Sequence, residues 1–425
     1  MGYVINFDNM IKCPKKEQIF PMRVNKKYAL GYSILAIFLS LTVLYFNRAY
    51  GGSLPGKRGQ AKIAVLLPTS GKYSYFSWQF LYGFFLRKNI IKIPKIKYII
   101  LNLPPRSGKS AIRSVFESLR KERAFAIVGP LFPGQVKYFE LYSSKFKIPV
   151  LTPSPVVSNI GAYPYMFNYG MTLKQEIETD LRYARRNNIT PITVLYPDNA
   201  YGNMIAGYIR HFSKKYMVNI IKYSPYPPGT VDFFDNFSSI VRFPDNFKES
   251  SPIENSSGKT SGIKPKILFK GLLIVGDTPK LKLILTQLMY YNIKGFPILG
   301  LSEFHSEKFL KNYSFYLHNA IFPDGFSKND NDPEVKEFVS MYKNAYGLSP
   351  NILSAEGYDI GRILRHISRS NKGRKSFYKA LLSTTSFTGA CGISRLHKNR
   401  FRKALYLFNY KNNRISVLEN PFKAR

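Results

Sequence analysis

Residues 103–110, LPPRSGKS, hold the Gly-Lys-Ser order of a phosphate-binding loop between an apolar run and a helical stretch. Such a loop needs a glycine five residues ahead of its Gly-Lys-Ser, so that backbone N–H groups can turn towards phosphate. Leu103 occupies that position, and the two prolines that follow it carry no N–H group. The stretch therefore favours a surface helix capped by Ser107 or Ser110 over an ATPase site.

The stretch GLSEFH places Ser302 three residues before His305, a candidate pair of nucleophile and base. Phe304 stands where a G-x-S-x-G elbow needs its second glycine, and side chains three apart on a loop seldom form a working dyad. The five histidines are scattered along the chain and form no H-x-x-x-H spacing. We therefore predict a protein that is not an enzyme, with no catalytic residues, no metal site and no cofactor.

Two aspartates follow apolar runs directly, Asp198 in YPDNAYG and Asp277 in IVGDTP. A carboxylate in that position contacts a ligand in some proteins, whereas in others it only forms a turn or a helix cap. The sequence leaves both interpretations open for these two residues.

Short apolar runs rich in β-branched residues alternate with helical stretches along the chain. These runs are KIAVLLP, KYIILNL, AFAIVGP, IPVLTP, PITVLYP, NIIKYSPY, KGLLIVG and FPILG. The pattern is typical of parallel strands that are buried on both faces in an α/β fold. Almost every run ends in Pro, Gly or Asp, so these positions predict a shared rim at the carboxyl ends of the strands, where ligands bind.

Two other segments give clear structural signals. The stretch DPEVKEFVSMYKNAYG predicts a helix that Asp332 caps and Gly347 ends. Residues 245–267 are rich in Ser, Gly, Lys and Pro and lack apolar periodicity, which predicts a flexible surface insertion.

The amino-terminal residues predict a membrane anchor. Residues 28–46 carry no charge and would form a helix about 28 Å long, close to the thickness of a bilayer core. Lysines and an arginine in residues 1–27 keep that basic tail in the cytoplasm and export the chain after residue 46. A cleaved signal peptide is the alternative, although the run is long and its flank, NRAYGGS, matches a cleavage site poorly. Residues 47–60 form a Gly/Pro/Lys-rich linker.

The charge balance also restricts the partners. The 425 residues include 63 Lys and Arg against 25 Asp and Glu, which gives a formal net charge of +38. A field of that sign attracts anionic surfaces such as lipid headgroups, cell-wall polymers or nucleic acid. Because the anchor predicts export, we expect no nucleic-acid partner.

Six motifs in order resemble those of the type I periplasmic binding proteins, above all the leucine/isoleucine/valine receptors and the branch known as penicillin-binding-protein activators. They are KIAVLLPTSGKYSYFSWQFLYGF, AIVGPLFPGQVKYF, KIPVLTPSP, VLYPDNAYG, SPYPPGTVDF and DPEVKEFVSMYKNAYGLSPNILSAEGYDIGRIL. The resemblance covers about residues 61–400. It implies an α/β fold of two lobes, each a mainly parallel sheet flanked by helices, preceded here by the transmembrane helix.

The resemblance also implies where the lobes lie along the chain. The first lobe would comprise residues 61–168 and 324–388, and the second would comprise 169–323 and 389–425. Three crossings would join the lobes, and a ligand would bind in the cleft between them.

Six residues occupy the positions that bind ligand in this family. Phe76 and Tyr201 match its aromatic positions, and Glu303 lies near the acid that pairs with an amino group. The hydroxyl residues that bind a ligand carboxylate are replaced by Pro133 and Val156, although a register shift would bring in Ser154 or Ser158. We therefore predict weak or no binding of free leucine, isoleucine or valine.

The resemblance implies a non-catalytic receptor that binds a small polar molecule, such as an amino acid, and supplies an ABC permease. The alternative is a regulator that docks on penicillin-binding proteins or other cell-wall synthases. In both cases we expect a single-pass protein of the cytoplasmic membrane with its carboxyl-terminal domain in the periplasm. Cleavage of the amino-terminal segment would instead release it into the periplasm.

Overall fold

The computed structural model describes residues 61–86, 96–156, 160–245, 247, 264–317, 319–369 and 373–423. Within these ranges the chain forms an eight-stranded sheet, a seven-stranded sheet and a two-stranded ladder. The predicted basic tail, membrane helix and linker lie outside the described residues. None of the helices in those ranges is long and apolar enough to cross a membrane.

The first lobe is built on the eight-stranded sheet. Its strands are β1 (Ala61–Leu67), β2 (Ile96–Asn102), β3 (Ala126–Val128), β4 (Val150–Thr152), β5 (Met166–Asn168), β13 (Ser386–Gly389), β14 (Gly392–His397) and β15 (Arg400–Lys403). They lie in the order β13-β14-β15-β5-β4-β3-β1-β2. Strands β1 to β5 are parallel, as buried α/β strands should be, and β13 to β15 add antiparallel pairs at one side.

The second lobe is built on the seven-stranded sheet. Its strands are β6 (Ile192–Pro197), β7 (Ile220–Tyr226), β10 (Gly271–Ile274), β11 (Ile298–Leu299), β12 (Ala320–Asp324), β16 (Tyr406–Lys411) and β17 (Arg414–Glu419), and the ladder pairs β8 (Val241–Arg242) with β9 (Lys266–Ile267). The sheet order is β17-β16-β12-β11-β10-β6-β7. Most of the predicted insertion 245–267 lies outside the described residues, but its last two residues form β9.

Helices flank both sheets. The first lobe has α1 (Ser74–Phe85), α2 (Lys109–Lys121), α3 (Pro133–Phe146), α9 (Pro333–Tyr346), α10 (Ile352–Ser368) and α11 (Arg374–Ser383). The second has α4 (Leu173–Arg186), α5 (Ala200–Tyr216), α6 (Phe234–Ser238), α7 (Thr278–Tyr290) and α8 (Glu307–Tyr313). The predicted alternation of strands and helices is therefore confirmed.

Local signals set the helix ends. The Asp332 side chain accepts a hydrogen bond from the N–H of Glu334 and caps α9, and Gly347 ends that helix at φ 64°, as predicted. The prediction for α2 was wrong, because Gly108 is its capping residue and no side chain caps it. The Ser107 hydroxyl instead bonds the carbonyl of Pro104.

Helices α1 and α10 pack against each other at very short range. A Cβ atom on Gly83 would lie 1.8 Å from the carbonyl oxygen of Ser354, and one on Gly357 would lie 2.1 Å from that of Phe80. Only glycine permits this approach of the two backbones. The close packing places α10 over the core of the first lobe, where it reaches the segments that lead to the second lobe.

Three segments cross between the lobes. The first follows β5, the second follows β12, and the third joins β15 to β16. The prediction placed the third crossing at residue 389, whereas β14 and β15 belong to the first sheet and the crossing lies between Lys403 and Tyr406. The difference arises because β14 pairs with β13 in a hairpin, which keeps this segment in the first lobe.

Candidate functional site

Two of the predicted ligand-binding residues meet at the carboxyl ends of the second sheet. Asn199 caps α5 after β6 and so places Tyr201 in the first turn of that helix. Glu303 lies in a short 3₁₀ helix, Ser302–His305, that follows β11. The Tyr201 hydroxyl lies beside the Glu303 carboxyl group, and both residues are half-buried. Burial and the negative charge of Glu303 raise the pKa of Tyr201. The second lobe therefore presents a phenol and a carboxyl group together.

More acidic groups surround this pair. Burial, followed by the negative charges of Asp324 and Asp277, raises the pKa of Glu303. Burial and the charge of Glu303 raise the pKa of Glu176, on α4, well above its ordinary value. No salt bridge within the described ranges brings a lysine or arginine to any of these carboxyl groups. The site therefore favours a ligand that carries positive charge.

Ser302 and His305 form separate contacts. The Ser302 N–H donates a hydrogen bond to Glu176 Oε2 over 2.8 Å. His305 Nδ1 lies 2.6 Å from Asp324 Oδ2, and its ring stacks on Phe408. The serine and the histidine are thus held by different carboxylates, and they do not form a dyad.

The first lobe contributes aromatic side chains at the ends of β1 and β3. The exposed fraction of Phe76, in the first turn of α1, is 43%. Its ring centroid lies 6.3 Å from that of Phe132, and the ring of Tyr73 lies 5.3 Å from Phe132. Pro133 follows Phe132 as the first residue of α3, is exposed, and has neither a hydroxyl nor an N–H group.

Ser154 and Val156 lie in the turn after β4. The Ser154 side chain is fully buried, and its hydroxyl donates to the carbonyl of Val156 over 3.0 Å. The side-chain amide of Asn168 donates a hydrogen bond to the carbonyl group of Ser154. Val156 packs against the same apolar cluster of the second lobe as Tyr201. The hydroxyl of Ser154 therefore serves the turn, and Val156 offers only an apolar surface.

Helix α10 binds the crossing segments through buried charges. Glu356 Oε1 accepts the N–H of Met171 over 2.6 Å in the first crossing and lies 3.4 Å from Lys403 Nζ at the third. Burial raises the pKa of Glu356 to about 7, although Lys403 opposes this shift. One turn later on α10, Asp359 accepts the hydroxyl of Tyr169 and the N–H groups of two residues in the β13–β14 turn.

Sequence reasoning predicted some of these residues and missed others. Tyr201 and Glu303 were predicted and do meet, while no hydrogen bond or ring contact within the described ranges joins them to Phe76. Glu176 was missed because nothing in its helical context distinguishes it from a surface glutamate. Asp324 ends β12 directly, so the rule that binding residues follow parallel strands was a signal for it. The role of the six predicted residues in ligand binding stays a prediction.

The two lobes, their three crossings and this rim define a two-lobed binding fold. The family model for periplasmic binding proteins matches residues 60–414. The chain belongs to that family, which comprises binding proteins, and membership implies an extracytoplasmic location. A search of curated protein sequences finds no match.

Solved structures share the fold at low sequence identity. The branched-chain amino acid substrate-binding protein LivJ of Streptococcus pneumoniae, in complex with isoleucine, gives a TM-score of 0.64 at 19% identity over 85% of this chain and 100% of its own. The leucine-binding protein LivK of Thermotoga maritima gives 0.64 at 18%, over 84% and 98%. A solute-binding protein of an R. palustris ABC transporter, in complex with benzoate, gives 0.63 at 15%, over 85% and 96%.

Proposed function

We propose that this protein is an extracytoplasmic receptor that binds a small polar molecule with an ammonium group between its lobes and delivers it to an ABC permease. The observation that carries the proposal is the placement of the Tyr201 hydroxyl beside the Glu303 carboxyl group at the rim of the second sheet. The neighbouring carboxyl groups of Asp277 and Asp324 add negative potential, and within the described residues no lysine or arginine neutralises them. A cation gains the most from such a partly desolvated rim.

The first lobe offers little to a carboxylate. The family positions for hydroxyl groups hold Pro133 and Val156, and the hydroxyl of Ser154 already bonds a carbonyl group. Each charge-assisted hydrogen bond to a carboxylate contributes about 1.5–3 kcal/mol, so losing two weakens binding roughly 100-fold or more. The ligands named for the related structures, isoleucine, leucine and benzoate, all carry a carboxylate. The ligand of this chain should therefore differ from them at that group.

The aromatic residues of the first lobe complement this ligand class. Tyr73 and Phe132 stand in edge contact, with Phe76 beside them, and two of these three rings are well exposed. Exposed aromatic faces bind alkyl groups and also attract ammonium groups. They would cover the ligand when the lobes close.

The test is calorimetric titration of leucinamide, leucine and benzoate into the protein. Leucinamide keeps the amino group of leucine and lacks its carboxylate, so we expect it to bind at least as tightly as leucine. Glu303→Gln should abolish this binding, whereas Glu117→Gln, which removes the same charge from the exposed face of α2, should leave it unchanged. Micromolar binding of leucine with no binding of leucinamide would refute the proposal.

The affinity for leucinamide should also depend on pH. Because burial and neighbouring charges raise the pKa of Glu303, its carboxyl group is protonated at pH values where an ordinary glutamate is ionised. Binding should therefore strengthen as the pH rises from about 5 to about 7, where leucinamide still keeps its ammonium group, since an α-amino group has a pKa of about 7.7–8.0. An affinity of the parent protein that stays constant over this range would contradict the ionisation of Glu303 in the site.

Docking on cell-wall synthases is the second candidate function. The same loss of carboxylate-binding hydroxyl groups favours it, because a regulator has no need of an amino-acid site. The protein is a regulator and not a receptor if no small molecule binds and a penicillin-binding protein associates equally with the parent and with Glu303→Gln.

A further inference from the structure

The β14–β15 hairpin separates its side chains strictly between two faces. Leu396 and Phe401 face the core of the first lobe. On the opposite face, β14 carries Ile393 at its start, and the four residues that follow on that face in the β14–β15 pairing are all basic. They are Arg395 and His397 on β14, and Arg400 and Arg402 on β15. This outward set is called the cationic face below.

Like charges stand directly opposite each other on the cationic face. These like charges belong to Arg395 and Arg402, which are paired directly in the strand register, and His397 pairs with Arg400 next to them. Directly opposed like charges destabilise a sheet. Burial and the charge of Arg402 lower the pKa of Arg400, which is half-buried. The hairpin therefore bears an unfavourable charge arrangement that an anion would relieve.

The cationic face has no counter-charge within the described residues. None of its four side chains forms a salt bridge or a side-chain hydrogen bond there. Elsewhere the few acidic residues do pair with arginines, as Glu419 does with Arg182 and Glu334 with Arg362, each at 2.6 Å. The absence of an acid beside four basic groups is thus a local feature of this hairpin.

Most of the cationic face is open to solvent, while Arg400 is half-buried near Tyr208 of α5. The helix layer of α2 and α3 packs on residues of β1 to β5, and none of β13 to β15 belongs to that apolar cluster. Arg395, His397 and Arg402 are exposed. Asn168 lies opposite Arg400 in the neighbouring strand, and its buried side-chain oxygen has no hydrogen-bond partner within the described ranges.

We propose that the cationic face binds a linear polymer that bears phosphate groups. Charges two residues apart on a strand repeat at about 6.7 Å, and the two rows lie about 5 Å apart, so a chain of phosphates can run along the hairpin between them. Arginine binds phosphate with two parallel hydrogen bonds. A net charge of +38 draws such a polymer to the molecule, and the hairpin gives it an ordered site.

The experiment titrates the full-length chain with inorganic polyphosphate at several NaCl concentrations. The logarithm of the binding constant falls linearly with the logarithm of the salt concentration. Each phosphate contact adds about 0.7 to the steepness of that slope for a flexible chain. Arg395→Gln with Arg402→Gln should therefore lower the slope by about 1.4. Between about 50 and 200 mM NaCl, the affinity of the parent protein should fall about sevenfold more than that of this variant.

The matched control is Lys336→Gln with Lys343→Gln, which removes two exposed charges from α9. This control should keep the slope of the parent. Equal losses in both variants would show that only the net charge attracts the polymer and would overturn the proposal. Binding that requires vesicles of anionic phospholipid and is absent with polyphosphate would also overturn it, in favour of a membrane surface. Neither result bears on leucinamide binding at Glu303.

Discussion

The carboxyl group of Asp180 is buried, and it forms no hydrogen bond with any described residue. It lies on α4, its exposed fraction is 0%, and neither of its oxygens has a partner within the described residues. Burial and the charge of Glu176, one turn earlier on the helix, raise its pKa well above the ordinary value. The folded protein therefore holds a proton on Asp180 at pH values where the unfolded chain has released it.

This proton makes the stability depend on pH. Between the pKa of the unfolded chain and the raised pKa of the folded state, the folded protein binds more protons, so the free energy of unfolding falls as pH rises. Asp180→Asn has no proton to lose. We expect it to match the parent near pH 4 to 5 and to exceed its stability by about 1–3 kcal/mol near pH 8.

Urea denaturation of both proteins at several pH values measures the difference. Asp245→Asn, at an exposed position, is the control and should follow the parent at every pH. A constant difference between Asp180→Asn and the parent across this range would show that the Asp180 carboxyl group is ionised in the folded protein and would contradict the prediction.

Single residues differ in how far the sequence predicts them. Tyr201 and Glu303 follow strand ends within motifs, and the rule for parallel sheets places both at one rim. Asp180 and Glu176 lie in a helix whose sequence is charged throughout, so their burial depends on how α4 packs on the second sheet. That packing is a tertiary feature, and no local pattern encodes it.

At the scale of elements, α10 contacts two of the segments that cross between the lobes, through its buried residue Glu356. Lys403 is fully buried, lies 3.4 Å from the carboxyl group of Glu356, and places its ammonium group 4.2 Å from the ring centre of Tyr169. The charge of Lys403 lowers the pKa of Glu356 and so opposes the effect of burial. Removing this charge should raise the pKa of Glu356 above its value of about 7.

Lys403→Met tests this coupling with a side chain of similar apolar length. Near pH 6, Glu356 is mostly protonated in both the parent and the variant. Its ionisation therefore adds little to the stability that Lys403→Met loses at this pH. Above pH 7, ionisation of Glu356 has no counter-charge in the variant. Its stability deficit should therefore grow by up to about 1.4 kcal/mol per pH unit.

Thermal unfolding between about pH 6 and pH 8.5 follows this deficit. Lys403→Met combined with Glu356→Gln should lose the part of the added pH dependence that Glu356 contributes and keep only that of Asp359, whose pKa the charge of Lys403 also lowers. Lys62→Met breaks a partly exposed pair with Glu122 and should cost no more than about 1 kcal/mol at any pH. A deficit of Lys403→Met that stays constant with pH would refute the coupling.

The elements themselves follow unequally from the sequence. Continuous apolar runs correctly predicted β1 to β4, β6, β7, β10 and β11, since most of these strands are buried. The exceptions are the edge strands β2 and β7, which are only partly buried. Strands β14 and β15 alternate apolar and basic residues, and that weaker pattern did not predict them. Their place in the first sheet depends on the pairing of β15 with β5, a contact between residues far apart in sequence.

At the scale of the whole molecule, several acidic residues of the described part of the chain are buried, whereas Lys403 is the only buried lysine or arginine there. Glu176, Asp180, Asp324, Glu356 and Asp359 are all buried. The exposed surface is therefore even more positive than the net charge of +38 suggests. Mutual repulsion between these surface charges destabilises the compact state, and dissolved salt screens it.

Raising NaCl from about 20 to 500 mM should therefore raise the melting temperature, because the Debye length falls well below the size of the molecule. A gain of about 1 kcal/mol in the free energy of unfolding corresponds to roughly 2–4 °C for lobes of this size. Lys336→Glu with Lys343→Glu lowers the net charge by four and should reduce the gain with salt. Sucrose, which strengthens burial without screening charge, is the control. Differential scanning calorimetry would reject surface repulsion if sucrose raised the melting temperature while NaCl left it unchanged in both proteins.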